Sequence, residues 1–261
     1  MPQHAALLFV AALLAGALNA VAGGGGFIAF PALLFAGILP IQANATNTIA
    51  LWPGTVASTA AYRGELKGSR HWRAMLPLFI VSLIGALVGA RLLLRTPQAT
   101  FFHMIPWLLL AATLLFAFGG MAVKSRGNSG LQDGAAPDQK TRMKIAVILL
   151  QLLVAAYIGF FGAGAGILML ALFTIMGLEH IHTMNAFKTT MASCANGVAV
   201  VTFIVARVVA WPQALLMIIG AVIGGYGGAW YAQRVNPKFI RGLVIAIGSG
   251  MSAYFFWDVY R

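Results

Sequence analysis

The chain has 261 residues, 61% of them hydrophobic and only 8% charged. Soluble domains carry about 25% charged residues, so a water-covered globule is excluded and lipid is the expected solvent. The net charge of +12 comes from 17 basic against 5 acidic residues, and a lone cysteine, Cys194, rules out an intramolecular disulfide. In a soluble protein such a balance would suggest nucleic acid. Here the basic residues sit mostly in short loops between apolar runs, the pattern of the positive-inside rule, and no nucleic-acid partner is expected.

Apolar runs fall near residues 4–22, 26–40, 44–62, 73–95, 101–123, 142–160, 161–178, 184–206, 211–233 and 238–258. Several reach the ~20 residues that span a bilayer as a helix. The first run is not preceded by Lys or Arg, only by His4, so it reads as a retained membrane segment and not as a signal peptide. Two runs are short, Phe27 to Pro40 and Ile167 to Leu178, and each follows a glycine cluster, at 23–26 and at 162–166. The thirty glycines suit close helix packing in lipid, and Cys194 is expected to be a packed core thiol.

Orientation follows from Lys and Arg. The loop after the third run holds Arg63, Lys67, Arg70 and Arg73; the central loop holds Lys124, Arg126, Lys140, Arg142 and Lys144; the loop before the last run holds Arg234, Lys238 and Arg241. With ten crossings these loops share one side and carry 12 of the 17 basic residues, so they are expected in the cytoplasm with both termini outside.

The polar, Gly-containing stretch 124–141 reads as a cytoplasmic linker between a first repeat, 1–123, and a second, 142–261, which together make one membrane domain. An offset of 140 aligns Gly24 with Gly164, Gly26 with Gly166, Gly37 with Gly177 and Ile41 with Ile181. One inserted residue then aligns Asn44 with Asn185, Asn47 with Lys188 and Thr48 with Thr189; further on, Gly85, Gly89, Ala90 and Pro97 match Gly224, Gly228, Ala229 and Pro237. Five segments per half is an odd number, so the copies insert in opposite directions. The expected fold is therefore all-α and integral to the membrane, two inverted five-segment repeats with short broken helices or hairpins and a site near midplane.

A broken helix leaves free backbone N–H groups at the start of the next helix, and the helix dipole adds partial positive charge there. Gly24, Gly25 and Gly26 in one half and Gly164 and Gly166 in the other are thus candidates to hold an anion; tight packing is the other role such glycines fill. Asn44, Asn47, Thr48 and Trp52 share one helical face, and Asn185, Lys188 and Thr189 repeat it, with Asn196 further along. A polar stripe in a lipid-embedded helix faces protein or water, either to join helices or to bind a ligand. Lys188 either snorkels to the interface or supplies fixed positive charge. The acids are Glu65, Asp133, Asp138, Glu179 and Asp258, and only Glu179, beside His180 and His182, lies near these residues. That is too few carboxylates for a cation pathway, so no metal site is expected. No nucleophile–base pair and no cofactor motif is present: Gly-x-Gly-x-Gly has neither the preceding strand nor the following acid of a dinucleotide fingerprint. The chain reads as no enzyme, with no cofactor.

The glycine run followed by Phe27-Ile28-Ala29-Phe30-Pro31, the Asn-x-x-Asn-Thr of 44–48, the Asn185-Ala186-Phe187-Lys188-Thr189 run and the Gly-Ala-x-x-Gly-Gly-x-x-Gly-Ala run at 220–229 together resemble the TauE/SafE sulfite exporter family, over nearly the whole chain. The resemblance implies a bacterial plasma-membrane carrier that exports sulfite, sulfoacetate or related organosulfur anions, with protons as the coupling ion. The expected partners are thus a small anion, protons and the lipid bilayer. A permease for another small anion such as a carboxylate, a non-transporting scaffold and a membrane enzyme stay open as rivals, and the oligomeric state, a homodimer among the options, is open too.

Overall fold

Lipid offers no water to an unpaired peptide group, so each spanning segment must close its own hydrogen bonds, and apolar runs of this length do so as helices. The computed structural model describes residues 2–21, 24–61, 63–67, 72–125, 137–176, 178, 180–232 and 237–261. These form α1 (Pro2–Val21), α2 (Gly26–Phe35), α3 (Pro40–Ala61), α4 (Arg63–Lys67), α5 (Trp72–Arg95), α6 (Gln98–Ser125), α7 (Pro137–Phe160), α8 (Ala165–Ile175), α9 (Ile181–Val205), α10 (Trp211–Ala232) and α11 (Pro237–Tyr260), with no strand among the described residues. Each of the ten apolar runs is one helix, its ends shifted by at most five residues, and α4 is an addition in a basic loop. The expected linker is shorter in structured terms, because α6 runs to Ser125 and α7 begins at Pro137. Residues 126–136 lie outside the described ones, as do Gly23, Gly177 and Glu179.

Among the described residues, four helical stretches are long and apolar enough to cross a membrane: Met75–Arg95, Gln98–Leu115, Thr183–Val205 and Gly242–Tyr260. The two short helices stay short. At 1.5 Å per residue, the 10 residues of α2 and the 11 of α8 rise roughly 15 Å, about half a hydrocarbon core. α2 ends where Gly37, at φ 81°, turns left-handed; its N–H donates to the Leu34 carbonyl at 2.9 Å and that of Ile38 to Leu33 at 3.1 Å, a double bond that closes the helix.

Each short helix folds back on the long one before it, α2 on α1 and α8 on α7. The most extensive contacts join α1 to α10 and α5 to α7. Around them α3 packs on α9 and α10, α5 on α9, α6 on α8 and α11, and α2 on α11. Glycine makes the two main pairs possible. A Cβ at Gly224 would strike the Leu13 carbonyl of α1, and one at Gly89 the Ala156 carbonyl of α7. Backbones this close gain dispersion contacts that lipid tails cannot replace. The core is divided accordingly: one apolar cluster centres on α1, α2, α3 and α6, the other on α5, α7, α8 and α9. Within the second interface Gln151 is fully buried and donates to Ser82 Oγ at 2.7 Å, a polar link between α7 and α5. Cys194 departs from expectation: it is exposed and is not a packed core thiol.

Candidate functional site

The glycine runs do what their composition suggests at the turns. Gly162 and Gly164 have φ of 79° and 73°, the left-handed region that glycine enters without a Cβ penalty, and this reverses the chain between α7 and α8. Gly25 precedes α2 and Gly164 precedes α8, and neither start has a side-chain cap. Backbone takes up the slack: the N–H groups of Phe27, Ile28 and Ala29 donate to the Gly24 and Gly25 carbonyls at 3.1 Å, and that of Ala165 to the Gly162 carbonyl at 3.4 Å, so these donors are not left over for an anion as the sequence suggested.

A cavity of about 80 Å³ lies where these turns meet the polar face of α3. Gly26, Asn44, Asn47, Thr48 and Trp52 line it, together with Asn19 from α1, Thr55 further along α3, Phe161 to Ala163 from the α7–α8 turn and Asn196 from α9. A volume of that order takes a few waters or one small ion. The wall is built across the chain. Asn44 donates through Nδ2 to the Phe160 carbonyl at 2.9 Å, and Trp52 Nε1 donates to the Ser193 carbonyl at 2.9 Å, tying α3 to α7 and to α9. The Tyr157 hydroxyl closes the α7–α8 turn by donating to the Ala163 carbonyl at 2.7 Å. Asn44 Oδ1 and Asn47 Oδ1 are buried without a donor.

Lys188, Asn185 and Thr189 form a separate cluster on α9 that does not line this cavity. Lys188 Nζ donates to Asn185 Oδ1 at 2.8 Å, and Thr189 Oγ1 donates to the Asn185 carbonyl at 2.9 Å. A Cβ at Gly166 would stand 3.4 Å from Lys188 Cδ, so the lysine stem lies over the start of α8. The first half repeats the arrangement: a Cβ at Gly26 would stand 3.6 Å from Asn47 Nδ2. Gly24, Gly25 and Gly164 do not line the cavity. Gly24 packs on Val244 of α11, Gly25 on the Ala15 carbonyl of α1 and Gly164 on Ala112 of α6.

Three wall elements are absent from the candidates that the sequence suggested. Thr55 continues the stripe of 44, 48 and 52 by helical spacing and was readable. Asn19 is a lone polar residue near the end of the first apolar run, and Phe161 to Ala163 arrive from the other half through the turn. Trp52→Phe is expected to cost about 1–3 kcal/mol, since it removes the bond to Ser193 and thins the packing on Gly197, whose added Cβ would lie 3.3 Å from the indole. Thermal unfolding of the detergent-purified variant measures this; an unchanged midpoint would remove the α3–α9 tie as a stabilising feature.

Comparison with known proteins gives a consistent picture. A family model described as "Sulfite exporter TauE/SafE" matches residues 8–255. The "Probable membrane transporter protein ORF9" of Sinorhizobium sp. is 32% identical over 250 residues, covering 95% of this chain and 90% of that protein. A "Probable membrane transporter protein" of Haemophilus influenzae is 28% identical over 264 residues, 97% and 94% of the two chains. The Escherichia coli K12 "Probable membrane transporter protein YfcA" is 26% identical over 261 residues, 98% and 91%. No solved structure gives a significant match.

Proposed function

The chain belongs to the TauE/SafE sulfite exporter family of membrane transporters, and on that footing we propose that it carries small sulfur oxyanions or organosulfur anions across the bacterial inner membrane, outward and coupled to protons. The observation that carries this reading is the small polar cavity enclosed where two glycine-broken hairpins meet the Asn/Thr face of α3. The Asn47 and Asn196 amides and the adjoining α7–α8 turn, beside the bare Cα of Gly26, can meet the oxygens of an anion. Lys188, over the start of α8, supplies positive charge to a second station of the pathway.

The proposed architecture is an inverted repeat with α1, α2, α3, α5 and α6 equivalent to α7, α8, α9, α10 and α11. Exchange of the halves turns the α1–α10 contact into α7–α5, α3–α10 into α9–α5 and α2–α11 into α8–α6. The pairs α3–α9 and α6–α11 map onto themselves. Each of these pairs packs, which supports the reading. The matched contacts of Gly26 with Asn47 and Gly166 with Lys188 support it further. In alternating access the two halves exchange roles about the α3–α9 crossing, at Trp52 and Ser193. The three basic loops then face the cytoplasm and both termini face outward.

The test is flux. Purified protein in proteoliposomes is expected to exchange sulfite. Gly26→Leu is expected to abolish that exchange with the fold intact, because only Asn47 Nδ2 at 3.6 Å and Ala163 Cβ at 4.0 Å would meet its first added carbon while the rest fills the cavity. Exchange of acetate and formate but not of sulfite would instead favour a carboxylate permease, and a chain that moves no anion would favour a scaffold. Full exchange by Gly26→Leu would remove the cavity from the pathway.

A further inference from the structure

The polar groups on the cavity wall are unevenly committed. Thr48 Oγ1 donates to the Asn44 carbonyl at 2.9 Å, Thr55 Oγ1 to the Trp52 carbonyl at 2.7 Å and Trp52 Nε1 to the Ser193 carbonyl at 2.9 Å. Their hydrogens face backbone oxygens, so the two hydroxyls offer a bound molecule lone pairs, not donors, and the indole nitrogen offers neither. Asn44 is more constrained still. Its amino group donates to the Phe160 carbonyl at 2.9 Å, and a carbonyl only accepts, so the amide cannot turn without setting oxygen against oxygen. Oδ1 of Asn44 is therefore a fixed acceptor. The side chain is 1% exposed, and that oxygen has no donor in reach. Asn47, three residues on, is 7% exposed and also has an unpartnered Oδ1, but no described carbonyl pins its amide, so it is free to present NH₂.

A buried acceptor left unpaired costs about as much as a lost hydrogen bond, and a site built to meet a hydroxyl rejects the analogue without one. Resting on the reading of this cavity as the anion site, we infer that Asn44 is a specificity-determining residue that selects anions bearing their own hydrogen-bond donor: a singly protonated oxyanion, or a sulfonate or carboxylate with a hydroxyl. The anionic oxygens face the Asn47 and Asn196 amides. The O–H of the ligand donates to Asn44 Oδ1. A fully deprotonated dianion leaves that oxygen unpaired and adds a second charge that the wall does not neutralise.

The experiment compares hydroxyethanesulfonate with ethanesulfonate in wild-type proteoliposomes, with sulfite exchange as reference. The hydroxylated anion is expected to move at least about tenfold faster at equal concentration. In Asn44→Leu, close to Asn in shape but without polar atoms, the two rates are expected to fall within about twofold of each other. Equal wild-type rates for the pair overturn the inference whether or not the variant folds, and they leave the carrier reading standing; water then satisfies Oδ1. A preference that survives in a folded Asn44→Leu overturns it too. Where sulfite moves and neither sulfonate does, a rate that follows the hydrogen sulfite monoanion across a pH series supports the inference, and a rate that follows the dianion overturns it. Absence of movement for all three anions overturns the carrier reading itself, and the inference with it.

Discussion

Lys188→Ala is expected to lower sulfite exchange by about 10- to 100-fold, the range for losing a charge-assisted contact in a desolvated site. The residue sits seven positions into α9, so roughly 10 Å along its axis. Its stem lies over Gly166, and its described partner is the neutral amide of Asn185, at 2.8 Å, not a carboxylate. An ammonium held this way inside a membrane protein is expensive unless an anion visits it. Removal should therefore spare the fold, because it also relieves a desolvation cost, while transport suffers. Lys188→Arg keeps the charge on a wider head and is expected to retain part of the rate. Initial exchange rates alongside thermal unfolding separate the two effects. Normal rates in a folded Lys188→Ala would show that the lysine merely reaches for the interface.

The largest loss of stability is expected from Gly89→Val and Gly224→Val. In each, the new Cβ overlaps a backbone carbonyl of the facing helix, Ala156 for Gly89 and Leu13 for Gly224. Neither neighbour is the end of a flexible side chain, so whole helices must separate. Overpacking of ordinary cores costs about 1–3 kcal/mol, and a backbone clash at these pairs belongs at or above the top of that range. Gly250→Ala is the control: nothing lies within 4 Å of an added Cβ in that part of α11, so a gain of about 0.5–1 kcal/mol is expected from helix propensity alone. Detergent unfolding midpoints test all three. If the valine variants melt with the wild type, close backbone contact does not hold α1 to α10 and α5 to α7.

Hydropathy and glycine are local signals, and what they control was legible. All ten apolar runs are helices, and the two short ones follow glycine clusters, because lipid leaves a long apolar segment no other way to satisfy its backbone. The polar face of Asn44, Asn47, Thr48 and Trp52 was equally legible, since residues spaced i, i+3, i+4 and i+8 share a helix side whatever surrounds it. Helix ends were less so. Pro40 and Pro137 start helices a turn earlier than the apolar runs do, because proline at the first position gives up only an N–H that the helix leaves unpaired.

Which residues meet was a tertiary matter. The bonds of Asn44 to Phe160, Trp52 to Ser193 and Ala210 to Thr46 join positions 116, 141 and 164 residues apart. Nothing in a local pattern encodes such separations. Glycine in particular reads alike whether it opens a cavity, as Gly26 does, or seats a neighbouring helix, as Gly25 does against Ala15, because the missing Cβ is the same and only the facing atom differs. By itself the sequence determined a helical membrane protein with two glycine-broken hairpins, through the cost of unpaired backbone in lipid. The tertiary structure alone decided that the α3 face, the α7–α8 turn and Asn196 enclose one cavity while Lys188 stands apart from it on Asn185, because packing across the two halves sets which side chains share a space.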